Sequence, residues 1–188
     1  MRCRSCRGFC FGTVCSACRH LHLYPEPKVR RLACGLEVLS LYPYRDIEPF
    51  LLTKHHPGGW RLYRLLAKEA FGALRMREGK QTAAVPVDDS CKSGYSHTAI
   101  LAKALESCGY LPLFNVLRAQ NSLSYSGQPL SFRLENPRDF EYSGPRGIEA
   151  VVVDDIVTTG LTLQEAKQTL ARHGVGVKRA IVLADADR

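Results

Sequence analysis

Short apolar runs punctuate this chain from residue 36 onward: LEVLSLY (36–42), AAVPV (83–87), LFNVL (113–117), IEAVVVD (148–154) and VKRAIVLA (177–184). Their length, their content of β-branched residues and the polar or glycine-bearing breaks between them predict strands. The intervening stretches 46–55, 60–77, 97–108 and 161–173 predict helices. The last of these follows a Thr/Gly turn and stops at His173-Gly174, where a basic residue and a glycine suit a helix end. Strand and helix alternating in this way predict an α/β fold, a Rossmann-like parallel sheet flanked by helices on both faces.

The first 35 residues break this pattern. Five cysteines crowd into eighteen positions, Cys3, Cys6, Cys10, Cys15 and Cys18. Two C-x2-C pairs, Cys3 with Cys6 and Cys15 with Cys18, can each turn two thiolates toward one tetrahedral centre, and GFCFGT supplies glycines for the turn between them. The expectation is a small zinc ribbon or knuckle holding structural Zn2+. The alternatives are a disulfide framework or a redox pair. Disulfides are disfavoured in a reducing compartment, and so short a module has no core to keep it folded without metal. Cys10, His20 and His22 are possible substitute ligands, whereas Cys34, Cys91 and Cys108 read as small apolar residues. The division expected is 1–22 as zinc-binding module, 23–35 as basic linker and 36–188 as the α/β domain.

Charge sharpens that division. The chain carries a formal +8, and Arg2, Arg4, Arg7, Arg19, Lys28, Arg30 and Arg31 stand against the single acid Glu26 in its first 35 residues. A basic segment of this kind neutralises phosphates, which points to a polyanionic partner, although a soluble face beside a metal site has the same composition. Phe9, Phe11 and Tyr24 lie among these cations; their rings either stack on nucleobases or pack around the metal. No stretch approaches eighteen uninterrupted apolar residues and MRCRSCRGFC lacks the apolar run of a secretion signal, so a cytoplasmic location with no membrane span is expected.

The most specific chemistry lies in VVVDDIVTTG (151–160). Val151, Val152 and Val153 form the continuous apolar run of a central parallel strand, which predicts that Asp154 and Asp155 emerge at its carboxyl edge, where ligands bind in open parallel sheets. Ile156, Val157, Thr158, Thr159, Gly160, Leu161 and Thr162 then turn into the next helix, offering free N–H groups and hydroxyls to an anion. Two carboxylates beside an anion cup suit a sugar phosphate, the acids accepting from vicinal hydroxyls while the cup holds the ester. A second loop, DDSCKSGYSH after AAVPV, repeats the order of strand, glycine-bearing loop and helix; there Lys92 supplies a point charge and Ser93 and Gly94 allow close backbone approach to phosphate.

The VDDIVTTG stretch resembles the 5-phosphoribosyl-1-pyrophosphate (PRPP) signature of type I phosphoribosyltransferases. By that resemblance Asp154 and Asp155 match the ribose-diol acids, Val157 to Thr162 the 5-phosphate loop, and the segment around Lys92, Ser93 and Gly94 the loop that holds pyrophosphate with Mg2+. Joined to paired amino-terminal cysteines, the pattern is similar to the ComF competence proteins, which act in uptake of transforming DNA in bacteria. The shared features are the cysteines, the lysine segment LLTKHHPGGW, the VPV strand, a stretch with Gln128, Arg133, Asn136 and Phe140, and VDDIVTTGLT. Ser93-Gly94-Tyr95-Ser96 departs from the family's Arg-Gly-Phe-Asn and removes a bidentate phosphate donor.

What the resemblance implies is a protein that binds PRPP with magnesium and single-stranded DNA, partnered by DNA-uptake translocation or helicase proteins. The alternatives are a nucleobase salvage phosphoribosyltransferase that releases pyrophosphate, and a PRPP sensor without chemistry. The sequence runs only four residues past Ala184, so an acceptor is expected to meet the amino-terminal third or the long connection from Arg118 to Arg146. In that connection Arg118, Arg133, Arg138 and Arg146 could close over pyrophosphate or grip DNA. No residue stands out as a general base.

Overall fold

The computed structural model describes residues 2–56, 58–72, 74, 82–87, 94–121 and 130–186. Among these, six strands form one sheet in the order β1-β2-β8-β7-β3-β4: β1 (Lys28–Arg31), β2 (Glu37–Pro43), β8 (Gly176–Asp185), β7 (Glu149–Val157), β3 (Thr82–Pro86) and β4 (Leu111–Pro112). All neighbours are parallel except β1, which runs antiparallel along the edge. The helices are α1 (Ser16–His22), α2 (Tyr44–Leu51), α3 (Gly59–Gly72), α4 (His97–Ala104), α5 (Leu130–Glu135) and α6 (Leu161–Arg172). Single 3-10 turns follow α2 and α4, at Leu52–His55 and Leu105–Cys108.

Strand side chains alternate faces, so the sheet makes two cores. Leu39, Leu41, Ala84, Val151, Val153, Ile181 and Leu183 pack with α2, α3 and α4. Val38, Val85, Ala150, Val152, Ala180 and Val182 face α6 and a second, two-stranded sheet of β5 (Leu117–Ala119) and β6 (Phe140–Tyr142). Central strands buried on both faces need unbroken apolar sequence, which is why β7 and β8 were the plainest signals in the chain. The cysteine module shares the first core. Cys3, Val14, Cys18 and Leu23 are buried with Phe50 and Leu51 of α2, and Arg19 pairs with Glu69 of α3.

Three expectations need correction. LFNVL is not one strand: Asn115 takes a left-handed φ of 58°, and the extended pieces on either side, β4 and β5, join different sheets. Asp154 and Asp155 do not follow the strand but lie within it, because β8 runs on beside them and pairs Asp154 with Val182 and Ile156 with Ala184. Residues 28–31, in the stretch expected as a linker, are an edge strand of the main sheet. The long connection from Arg118 to Arg146 contains β6 and α5.

Candidate functional site

The turn from β7 into α6 makes an open cup lined by Asp154, Ile156 to Leu163 and Glu165, with Asn136 and Arg138 across from them. Gly160 caps α6 at φ 80° and no side chain caps the helix, which leaves first-turn N–H groups for an anion, at the positive end of the helix dipole. Thr158 and Thr159 are exposed at the mouth. Gly160 is required twice over: its φ lies in the left-handed region, and a Cβ there would sit 2.6 Å from Leu32 Cδ1. Gly160→Ala is expected to cost about 1–2 kcal/mol, read from denaturant unfolding.

Asn136 and Arg138 reach the cup because the segment ahead of β6 is clamped to α6. The Glu165 carboxylate accepts from the backbone N–H of Arg138 at 2.9 Å and of Asp139 at 2.6 Å, and Asp139 adopts φ 52°. No periodicity marks this clamp in the sequence, since its two sides are 26 and 27 residues apart. Of the other predicted positions, Lys92, Ser93 and Gln128 lie outside the described residues. Gly94 is exposed at φ 82°, two residues before Ser96, whose hydroxyl accepts from Ala99 N–H at 3.1 Å and caps α4. Because β3 and β7 are parallel neighbours, pairing Pro86 with Val153, β3 ends at the same sheet edge as the cup.

The two adjacent acids have different environments. Asp154 is half-buried on the cup lining, and its Oδ1 accepts from the Asp155 N–H at 2.8 Å. Asp155 is 5% exposed. Its Oδ2 accepts from Lys54 Nζ at 2.9 Å and faces His97 Nε2 at 3.6 Å. Burial favours the neutral acid, but His97 and Lys54 outweigh it and hold the carboxyl well below the usual carboxylate range. The Tyr63 hydroxyl lies 3.1 Å from the same Oδ2 and 3.2 Å from the Leu51 carbonyl. Burial and the Asp155 charge raise that phenol well above its ordinary value.

Lys54 is placed by a tightly packed turn. Tyr95 donates to the Lys54 carbonyl at 3.0 Å and the Thr53 hydroxyl to the Phe50 carbonyl at 2.6 Å. At Gly59 a Cβ would lie 2.1 Å from the Thr53 oxygen, so only glycine fits under this turn. The segment LLTKHHPGGW thus supplies a cation to the acid pair from 101 residues away.

At the amino terminus the Sγ atoms of Cys3, Cys6, Cys15 and Cys18 lie within 4.8 Å of one another, a donor set that can hold a metal ion such as zinc. The Cys15 N–H donates to Cys3 Sγ at 3.3 Å. Desolvation opposes the Cys3 thiolate, yet backbone donors at Cys15, Cys6 and Ser5 bring its pKa down to about 6. At Cys15 a backbone donor at Cys18 lowers the pKa, but the Cys18, Cys3 and Cys6 sulfurs push it up to about 12. Crowded sulfurs of this kind are relieved by a cation among them. Cys10 stands apart from the four, its thiol donating to the Gly12 carbonyl at 2.9 Å, and His22 packs edge-on against Phe50. Phe9 is 87% exposed and Phe11 fully so; neither packs around the cluster.

Residues 94–188 match the family described as phosphoribosyl transferase domain. Among solved structures, an adenine phosphoribosyltransferase is 16% identical at a TM-score of 0.39, covering 90% of this chain and 89% of that one. An orotate phosphoribosyltransferase from Aeropyrum pernix is 17% identical at 0.39, covering 89% and 78%. The adenine phosphoribosyltransferase of Saccharomyces cerevisiae is 19% identical at 0.38, covering 90% and 88%. No curated protein matches. No helix among the described residues is long and apolar enough to cross a membrane.

Proposed function

Because the chain belongs to the phosphoribosyl transferase domain family, we propose that it binds PRPP at the β7–α6 cup and single-stranded DNA at its amino-terminal module, as a ComF-like protein of natural transformation. The observation that carries the first half is the cup itself, an uncapped helix start and three threonines with a carboxylate on the rim. Val157 to Thr162 receive the 5-phosphate on backbone N–H groups and hydroxyls. Asp154 accepts from the ribose, and the Arg138 guanidinium, on the opposite wall, supplies a cation to the phosphate side. Asp155 stands behind it, neutralised by Lys54. At the pyrophosphate end, magnesium bound with PRPP would supply positive charge for the leaving group. Lys92, Ser93 and Gly94 are the residues we assign to that end.

Displacement at the anomeric carbon passes through a cationic, oxocarbenium-like sugar, which asks the protein for position and charge rather than for a strong base. PRPP recognition is therefore separable from turnover. Calorimetric titration with PRPP and magnesium tests the first, and pyrophosphate release on adding single nucleobases tests the second. A parent protein that takes up no heat from PRPP would remove this reading.

The DNA half rests on Phe9 and Phe11, which stand clear of the cysteine cluster beside the exposed Arg2, Arg4 and Arg7. Exposed rings among cations suit stacked bases and a phosphate backbone. The expected partners beyond DNA are translocation or helicase proteins of the uptake machinery. In this reading the four cysteines hold one structural zinc per chain. Cys15→Ser is expected to lose that metal, measured by a chromophoric chelator after denaturation, and to lose salt-sensitive retention of labelled single strands in an anisotropy titration. Because Cys3 and Cys18 share a core with α2, the melting temperature falls as well. The same variant should retain PRPP binding wherever the main sheet stays folded.

A further inference from the structure

We propose that Arg30, in edge strand β1, and Leu32, just after it, are positioning residues that strap the phosphate loop into its anion-binding shape. The inference deepens the sugar-phosphate reading of the cup and rests on it for its functional half.

Four contacts make the strap. The Arg30 Nη2 donates to the Thr158 carbonyl at 2.6 Å, and its Nε lies 2.5 Å from Asp185 Oδ2. Asp185 ends β8 and is the register partner of Val157, the last residue of β7 before the loop. One guanidinium therefore ties the end of the β7–β8 ladder, by ion pairing, to the first exposed residue of the loop, by a hydrogen bond. Two residues on, Leu32 is 7% exposed, with its Cδ1 2.6 Å from where a Gly160 Cβ would sit. Beyond it, Lys167 of α6 donates to the Cys34 carbonyl at 3.2 Å. The strap is itself held in register, since β1 pairs with β2 from Lys28↔Ser40 to Arg31↔Glu37.

The consequence follows from peptide geometry. No cis peptide bond occurs among the described residues, and in a trans peptide the carbonyl and the following N–H point in opposite directions. Holding the Thr158 carbonyl toward β1 turns the Thr159 N–H away from β1, toward the side where Thr158 to Thr162 line the cup. Without Arg30 this peptide loses a donor that orients it, and a carbonyl in place of that N–H repels an anion. Preorganising such a donor is what separates an anion site from a flexible turn. Neighbouring Arg31 makes no such bridge; it is exposed and pairs with Glu37 at 3.1 Å.

The test compares R30M with R31M as its control, in the full-length protein. Hydrogen exchange without ligand is followed in peptides spanning 157–163 and in the β7–β8 core, and ribose 5-phosphate is titrated calorimetrically. For R30M, loop exchange is expected about tenfold faster and ribose 5-phosphate affinity about tenfold weaker, with core exchange unchanged and R31M like the parent. A purely structural role would instead speed exchange throughout and leave affinity per folded molecule alone; that result, or parent-like loop exchange, overturns the strap. Should R30M not fold, R30K carries the test, since an ammonium near Asp185 keeps the charge but loses the second acceptor. A parent protein that ignores ribose 5-phosphate while R30M still loosens the loop removes the sugar-phosphate reading and upholds the strap.

Discussion

Asp154→Asn is expected to weaken PRPP binding by about 10- to 100-fold, the worth of one hydrogen bond to a charged group, while the protein melts close to the parent. The reason lies in what Asp154 touches. Its Oδ1 accepts from the Asp155 N–H, and the asparagine carbonyl can keep that bond, so the end of β7 holds its shape. What asparagine lacks is the charge that makes a ribose hydroxyl a strong donor to this rim. Asp155→Asn should show the opposite balance. That side chain is buried against Lys54 and Tyr63, so its change acts first on stability and reaches the sugar only through β7. The measurement is a pair of calorimetric titrations beside a pair of thermal melts. Equal losses of affinity in the two variants at equal stability would show both acids on the ribose, and parent-like affinity in Asp154→Asn would remove Asp154 from the sugar altogether.

The separation of the two acids also shows which parts of this molecule its sequence displays. β7 and β8 were legible because a strand buried on both faces has no choice but an apolar run. The cysteine cluster was legible because its ligands are local, two pairs at fixed spacing converging within 4.8 Å. The turn from β7 into α6 was legible because strand, loop and helix occur in chain order with a glycine where φ must be positive. Illegible features are those where one side chain serves a distant one. Nothing in DDIV says which carboxylate turns inward, since that is decided by Lys54, Tyr63 and His97 on three separate elements. β1 was hidden for a related reason. As an antiparallel edge strand it is exposed along most of its length, with Val29 at 61%, so its sequence KVRR carries no burial pattern. Asn115 shows the reverse error, an apolar context that masks a single left-handed residue.

Lys54→Met is expected to destabilise the protein by about 3–5 kcal/mol, the scale of removing one partner from a buried ion pair. Methionine keeps the length of the stem and some of its packing, but it leaves the 5%-exposed Asp155 carboxylate with His97 and the Tyr63 hydroxyl to oppose the cost of burial. The double variant Lys54→Met with Asp155→Asn should recover part of that loss, because an amide needs no counter-charge, and the shortfall from additivity measures the pair's coupling. The pH dependence carries the same signature. Asp155 has a depressed pKa in the folded protein, so its contribution is complete above the unfolded carboxylate value of about 4. It is lost as pH falls from there through the lower folded value. In Lys54→Met the folded pKa rises, the acid takes up its proton earlier, and the penalty of the substitution shrinks as pH drops below about 4. Denaturant unfolding of parent and variant at neutral and acid pH reads this directly. A penalty that stayed constant across that range, or a double variant no better than the single, would show that Lys54 holds its turn by packing alone and that Asp155 carries no charge in need of balance.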